Sequence, residues 1–197
     1  IAASGLVAAL SYFLTGASLK FLQRSAILDH PNERRSHAVP IPRGGGLPVV
    51  ALTIPLWLIP LENEQSSSIG IILVGAIALA IISWLDDLKP RSPAIRLAVQ
   101  LMAVGLGVYS FSTEQPLFGD VLPRWLEFGI VGIGWLWFVN LFNFMDGIDG
   151  ISSAQTIAIC LGIIGIGLIL EKAPVPIWYP AALCASFAGF ALWNLPP

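Results

Sequence analysis

The chain has 197 residues, 56% hydrophobic and 11% charged, with a mean hydropathy of +0.80 and a formal net charge of -2. Soluble domains carry about 25% charged residues, so this composition excludes an ordinary soluble domain and points into lipid. The slight acidity excludes a nucleic-acid binder, which needs a basic surface. Cys160 and Cys184 sit in apolar runs, without the spacing of a disulfide framework or a metal knuckle.

Seven windows in chain order lack Asp, Glu, Lys and Arg: 1–19, 44–61, 65–85, 97–113, 128–145, 150–170 and 173–197. Each is near the length of about 20 residues that a spanning helix needs. Helices are the natural form in lipid because they satisfy their own backbone polar groups. The expected fold is therefore all-α: a polytopic integral membrane helix bundle of about seven transmembrane helices, one domain over 1–197, with no internal repeat. The second window is the weakest, because Gly44-Gly45-Gly46 and Pro48 shorten its regular part. No basic stretch precedes the first apolar run, which argues against a cleaved signal peptide. A chain that starts at Ile1 and ends on Asn194-Leu195-Pro196-Pro197 reads as a fragment.

The basic residues set the orientation. Lys20, Arg24, Arg34, Arg35 and Arg43 border the first connection, and Lys89, Arg91 and Arg96 border the third. Alternating spans put these eight on one face and leave Arg124 and Lys172 on the other. By the positive-inside rule the face with eight is cytoplasmic. The N-terminus is then outside, the C-terminus is inside, and the loops 62–68, 114–127 and 171–176 are external. Segments 28–46, 86–96 and 146–150 share the cytoplasmic face. The tryptophans at 84, 125, 135, 137, 178 and 193 fit an interface belt or packing.

Three polar clusters stand out. The first connection, L-D-H-P-N-E-R-R-S-H-A-V-P-I-P-R-G-G-G, could cradle phosphates with backbone N–H groups and arginines. It equally fits an ordinary positive-inside loop, with His37 a solvated residue. Asp86 and Asp87 end the third window. Adjacent helical residues point about 100° apart, so one can face a bundle interior and the other a loop. A solvated helix end explains the pair as well. Ser92-Pro93 reads as an N-cap with proline at the first helical position. This places Arg96 and Gln100 one turn apart on one face, where Arg96 can hold a phosphate or anchor at the interface.

The third cluster, N-L-F-N-F-M-D-G-I-D-G over 140–150, carries Asn140, Asn143, Asp146 and Asp149 at every third residue. Intramembrane carboxylates are costly and mark function; the bland alternative is polar glue between helices. Because a threefold stripe drifts by about 60° per step around an α-helix, Asn143 and Asp146 are expected to act together. Asn140 and Asp149 need not share their direction. Gly147 and Gly150 favour a helix break and close approach of a ligand to backbone. Oxygen donors from Asp and Asn suit Mg²⁺, which uses one or two carboxylates plus phosphates.

In order, P-N-E-R-R-S-H…P-I-P-R-G-G-G, D-D…R-x-x-x-Q and N-L-F-N-F-M-D-G-I-D-G resemble the polyprenyl-phosphate N-acetylhexosamine-1-phosphate transferases, a glycosyltransferase family of bacterial inner membranes. The resemblance covers nearly the whole chain, and its wording is nearer the branch that starts O-antigen and lipopolysaccharide synthesis than the peptidoglycan branch. It implies transfer of a sugar 1-phosphate from a UDP-N-acetylhexosamine to undecaprenyl phosphate, with release of UMP and with Mg²⁺, or Mn²⁺ in its place, as cofactor. By this resemblance Asp86, Asp87 and Asp146 are catalytic, with Asp86, Asp87 and Arg96 serving the prenyl phosphate. Asn143 and Asp146 sit at the metal–diphosphate centre. Gly147, Ile148 and Asp149 line the uridine side with His37 nearby. The family continues with further spans, a Met-Gly-Asp motif and a His-rich loop. The implied partners are the bilayer and the two substrates, with homodimerisation left open. Two other classes fit parts of the pattern. A Mg²⁺-dependent membrane prenyltransferase would show wider-spaced Asp-rich motifs. An ion-coupled transporter would show repeats and polar residues near mid-span.

Overall fold

The computed structural model describes residues 2–25, 28–29, 41–59, 66–111, 118–146, 148–170 and 176–195. Among the described residues there are seven α-helices, and each expected window holds one. They are α1 (Ala2–Arg24), α2 (Leu47–Leu58), α3 (Ser66–Leu88), α4 (Pro93–Phe111), α5 (Arg124–Met145), α6 (Ile151–Ile169) and α7 (Trp178–Asn194). A 3₁₀ turn covers Gly119–Val121, and β1 (Leu28–Asp29) pairs antiparallel with β2 (Ile41–Pro42). Five helices, α1, α3, α4, α5 and α6, are long and apolar enough to cross a membrane. The 12 residues of α2 and the 17 of α7 are shorter, as the glycines and Pro48 foreshadow for α2. The protein is an integral membrane protein of α-helices with a two-residue ladder, and its apolar side chains are outward to match: Phe144 is 84% exposed and Ile169 80%.

Three boundaries differ from the sequence expectation. Ser66–Ser68 already belong to α3, and Arg124–Glu127 form the first turn of α5, so neither connection is as long as the charge pattern suggests. Glu127 explains the second difference. Its buried carboxylate accepts a hydrogen bond from the Phe118 backbone N–H at 2.9 Å and pairs with Arg124 at 3.4 Å. An acidic group in the first helical turn also suits the helix dipole. Thirdly, α5 ends at Met145, so Asp146 follows the helix instead of continuing the face of Asn143.

The chain divides into two compact units, residues 1–59 with 145–197, and residues 60–144. In the first unit α7 is central and packs against α1, α2 and α6. Its buried Ala182, Ala185, Ser186 and Gly189 form a stripe of small residues, which lets membrane helices approach closely. At Gly189 any Cβ would land on the Ala8 carbonyl oxygen of α1. The Ser11 hydroxyl donates to the Ser186 carbonyl, and the Trp193 indole donates to Tyr12 O at 3.0 Å. α2 is lashed to α7 reciprocally: Trp57 donates to Tyr179 O at 3.2 Å and Trp178 to Leu56 O at 3.0 Å. The Leu56 carbonyl lies in the last turn of its helix, where no intrahelical donor remains.

In the second unit α3 packs along α4. Gly75 abuts the Ala103 backbone, and Ser68 donates to Ser110 O at 3.2 Å. Gly107 of α4 leaves room for the Trp135 ring of α5.

Candidate functional site

The second unit carries a cleft of about 410 Å³ between the ends of α3, α4 and α5. Leu79, Ile82, Leu97 and Val139 supply apolar walls; Ser83, Asp86, Arg96, Gln100, Asn140 and Asn143 supply the polar ones. Its charged edge is built locally. Ser92 caps α4, its hydroxyl accepting from the Ile95 N–H at 3.3 Å, and Pro93 occupies the first helical position, as the sequence suggests. This short connection turns α4 back so that Arg96 meets Asp86. Arg96 Nη1 donates to Asp86 Oδ2 at 3.1 Å, and the Arg91 backbone N–H donates to Asp86 Oδ1 at 2.6 Å. The two side chains are 41% and 25% exposed. A pair so open adds little stability, and its consequence is orientation: both carboxylate oxygens of Asp86 are engaged in holding the connection and the guanidinium. Arg96 retains donors beyond the one it gives to Asp86.

Gln100 lines the same cleft, as its one-turn spacing from Arg96 anticipates. Asp87 is half-buried and is not among the cleft residues, as the 100° step between neighbours requires. Asn140 and Asn143 both line the cleft, and the Asn140 amide donates back to Leu136 O at 2.9 Å. Ser83, one turn before Asp86, escaped the sequence reading. The i, i+3 spacing was the available signal, but serine is unremarkable in a membrane helix.

The remaining candidates belong to the turn between α5 and α6 in the first unit. Asp146 and Asp149 are exposed, and Ile148 is 56% exposed. Gly150 adopts φ 74°, the left-handed conformation that glycine takes without strain, and it is buried. Its N–H donates to Asn194 Oδ1 at 3.1 Å, and a Cβ at Gly150 would meet the Leu195 side chain at 2.8 Å. The end of α7 thus clamps the turn. Ser152, in the first turn of α6, donates to Asp146 Oδ1 at 2.5 Å. Neither Asn194 nor Ser152 is visible as a partner in the sequence, since one lies 44 residues from the N–H that donates to it and the other carries no motif. His37 and Gly147 lie outside the described residues.

The donors offered by these segments are oxygens of Asp and Asn. Among the described residues no three His, Cys, Asp or Glu side chains gather at one point. Oxygen donors of this kind suit Mg²⁺, which completes its shell with water and substrate phosphate.

The architecture defines an integral membrane protein with an arginine-edged cleft and a clamped acidic turn. The family model described as Glycosyl transferase family 4 matches residues 69–197, more than half of the chain, and the chain belongs to that family. It is 30% identical over 190 residues to the undecaprenyl-phosphate alpha-N-acetylglucosaminyl 1-phosphate transferase of Thermotoga maritima, covering 96% of this chain and 55% of that protein. It is 29% identical to the decaprenyl-phosphate N-acetylglucosaminephosphotransferase of Mycobacterium leprae, covering 100% and 54%. It is 30% identical to the undecaprenyl-phosphate alpha-N-acetylglucosaminyl 1-phosphate transferase of Yersinia pestis, covering 93% and 52%. The chain spans about half the length of the curated relatives it matches.

Proposed function

We propose that this protein transfers an N-acetylhexosamine 1-phosphate from a UDP-sugar to undecaprenyl phosphate, releasing UMP, and so starts a lipid-linked envelope glycan of the O-antigen type. The observation that carries the reading is the cleft in which an oriented arginine faces apolar walls, since a lipid phosphate needs both at once. Family membership and the names of the three relatives support the same class of reaction.

A phosphate oxygen of the lipid attacks the phosphorus that carries the sugar. A new P–O–P bond forms, the bond to the bridging oxygen of UMP breaks, and UMP leaves with that electron pair. Arg96 holds the attacking phosphate through charge-assisted hydrogen bonds, and Asp86 fixes the guanidinium. Asp146 would offer a carboxylate oxygen to Mg²⁺, which would neutralise phosphate charge and stabilise the leaving group. Gly147, Ile148 and Asp149, with His37, would receive the nucleotide, and Asp87 would support the lipid-phosphate side. No strong base is required. The second pKa of a phosphate monoester is about 6, so the lipid phosphate is already mostly dianionic at neutral pH. The asymmetry of basic residues supports a cytoplasmic active face in a bacterial inner membrane, with the N-terminus outside.

Exchange of radiolabelled UMP into UDP-sugar, in membranes holding the full-length protein, undecaprenyl phosphate and Mg²⁺, tests the reaction. Exchange with a UDP-N-acetylhexosamine is expected, and none across a panel of UDP-sugars would overturn it.

A further inference from the structure

The Asp146 carboxylate is exposed, yet one of its two oxygens is already taken. Ser152, a residue only 6% exposed, donates its hydroxyl to Oδ1 at 2.5 Å. Oδ2 has no partner among the described residues. The backbone around the pair is fixed independently: the Ile148 N–H donates to Met145 O at 3.0 Å, the Ile151 N–H to Ile148 O at 3.3 Å, and Gly150 is clamped by Asn194. Ser152 therefore acts on the direction of one carboxylate and is not needed to close the turn. It does not behave as a helix cap either. A capping side chain accepts from backbone N–H groups and precedes the helix, whereas Ser152 lies inside α6 and donates outward.

We propose that Ser152 is a positioning residue that engages one Asp146 oxygen and orients the other, biasing the carboxylate toward one-oxygen coordination of the cation and so favouring Mg²⁺ over Ca²⁺. This rests on the assignment of Asp146 to the cation–diphosphate centre made above. Mg²⁺ demands a compact octahedral shell and uses carboxylates sparingly, while Ca²⁺ accepts two-oxygen carboxylates and larger, more flexible shells. Removing the Ser152 hydroxyl frees Oδ1, which loosens the carboxylate and opens the two-oxygen mode.

The test is Mn²⁺ binding to the full-length protein in detergent, read from the free-ion EPR signal and competed with Mg²⁺ or Ca²⁺, alongside UMP exchange with each ion. Ser152→Ala is expected to shift the Ca²⁺-to-Mg²⁺ competition ratio toward Ca²⁺ by about tenfold, the scale of changes to groups that orient a metal ligand. Ser152→Thr, which keeps the hydroxyl, is expected to restore the wild-type ratio. An unchanged ratio in Ser152→Ala, with Asp146→Ala abolishing Mn²⁺ binding, would overturn the proposal while leaving Asp146 at the centre. Mn²⁺ binding unaffected by Asp146→Ala would overturn the underlying assignment as well. Loss of thermal stability in Ser152→Ala without a change in ratio would make the serine structural and also overturn the proposal. Amide exchange over residues 146–152 separates these cases without turnover: a positioning role leaves the protection at Ile148 and Ile151 intact, and faster exchange there would contradict it.

Discussion

The cleft of the second unit and the turn of the first bring polar groups into a membrane protein by opposite means. The cleft is organised by charge over a short stretch of chain: Asp86 and Arg96 lie ten residues apart and meet through a four-residue connection that caps α4. The turn is organised by neutral partners from afar, with Asn194 reaching across 44 residues to the Gly150 N–H. An open ion pair orients a guanidinium at little cost in stability. A buried backbone N–H, by contrast, needs its acceptor, because an unsatisfied one costs about 1–3 kcal/mol. Damage to the cleft should therefore appear in substrate binding, and damage to the turn in stability first.

The sharpest break of this contrast comes at Arg96. Arg96→Ala is expected to lower kcat/KM for the lipid phosphate by about 10–100-fold, the worth of charged hydrogen bonds, with thermal unfolding nearly unchanged. Arg96→Lys should recover part of the loss, since lysine keeps the charge but not the planar fork. Next, Asn194→Ala should destabilise the protein by about 1–3 kcal/mol, read by thermal unfolding, before any loss of activity per folded molecule. Gly150→Ala should cost about 1–2 kcal/mol from the left-handed backbone alone, with the Leu195 contact adding to it. Asp86→Asn should raise KM for the lipid phosphate by about tenfold, the loss of one charge-assisted bond. Because both Asp86 oxygens hold neighbours, that loss should persist at high pH; full recovery there would make deprotonation its role. Ser83→Ala and Gln100→Ala, each removing one neutral partner worth about 0.5–1.5 kcal/mol, should give the smallest losses, seen only in lipid-phosphate KM.

The legible part of the molecule is the local part. All seven helices follow from charge-free windows, the shortness of α2 from its glycines and proline, and the start of α4 from Ser92-Pro93. The helix break before α6 follows from Gly150, whose left-handed backbone precedes the helix. What stayed hidden depended on tertiary partners. The first turn of α5 looks like loop until Glu127 is seen buried against Phe118 and Arg124. The pairing of Asn143 with Asp146 on one helical face fails because α5 stops at Met145. Asn194 and Ser152 carry no motif at all: the packing of α7 reveals what Asn194 holds, and the fold of the turn before α6 reveals what Ser152 holds.

The division of labour between the two regions is tested most directly by measuring both Michaelis constants in Arg96→Ala of the full-length protein. The expected result is a lipid-phosphate KM raised by about tenfold or more with an unchanged KM for the UDP-sugar. A raised UDP-sugar KM with an unchanged lipid-phosphate KM would contradict the account.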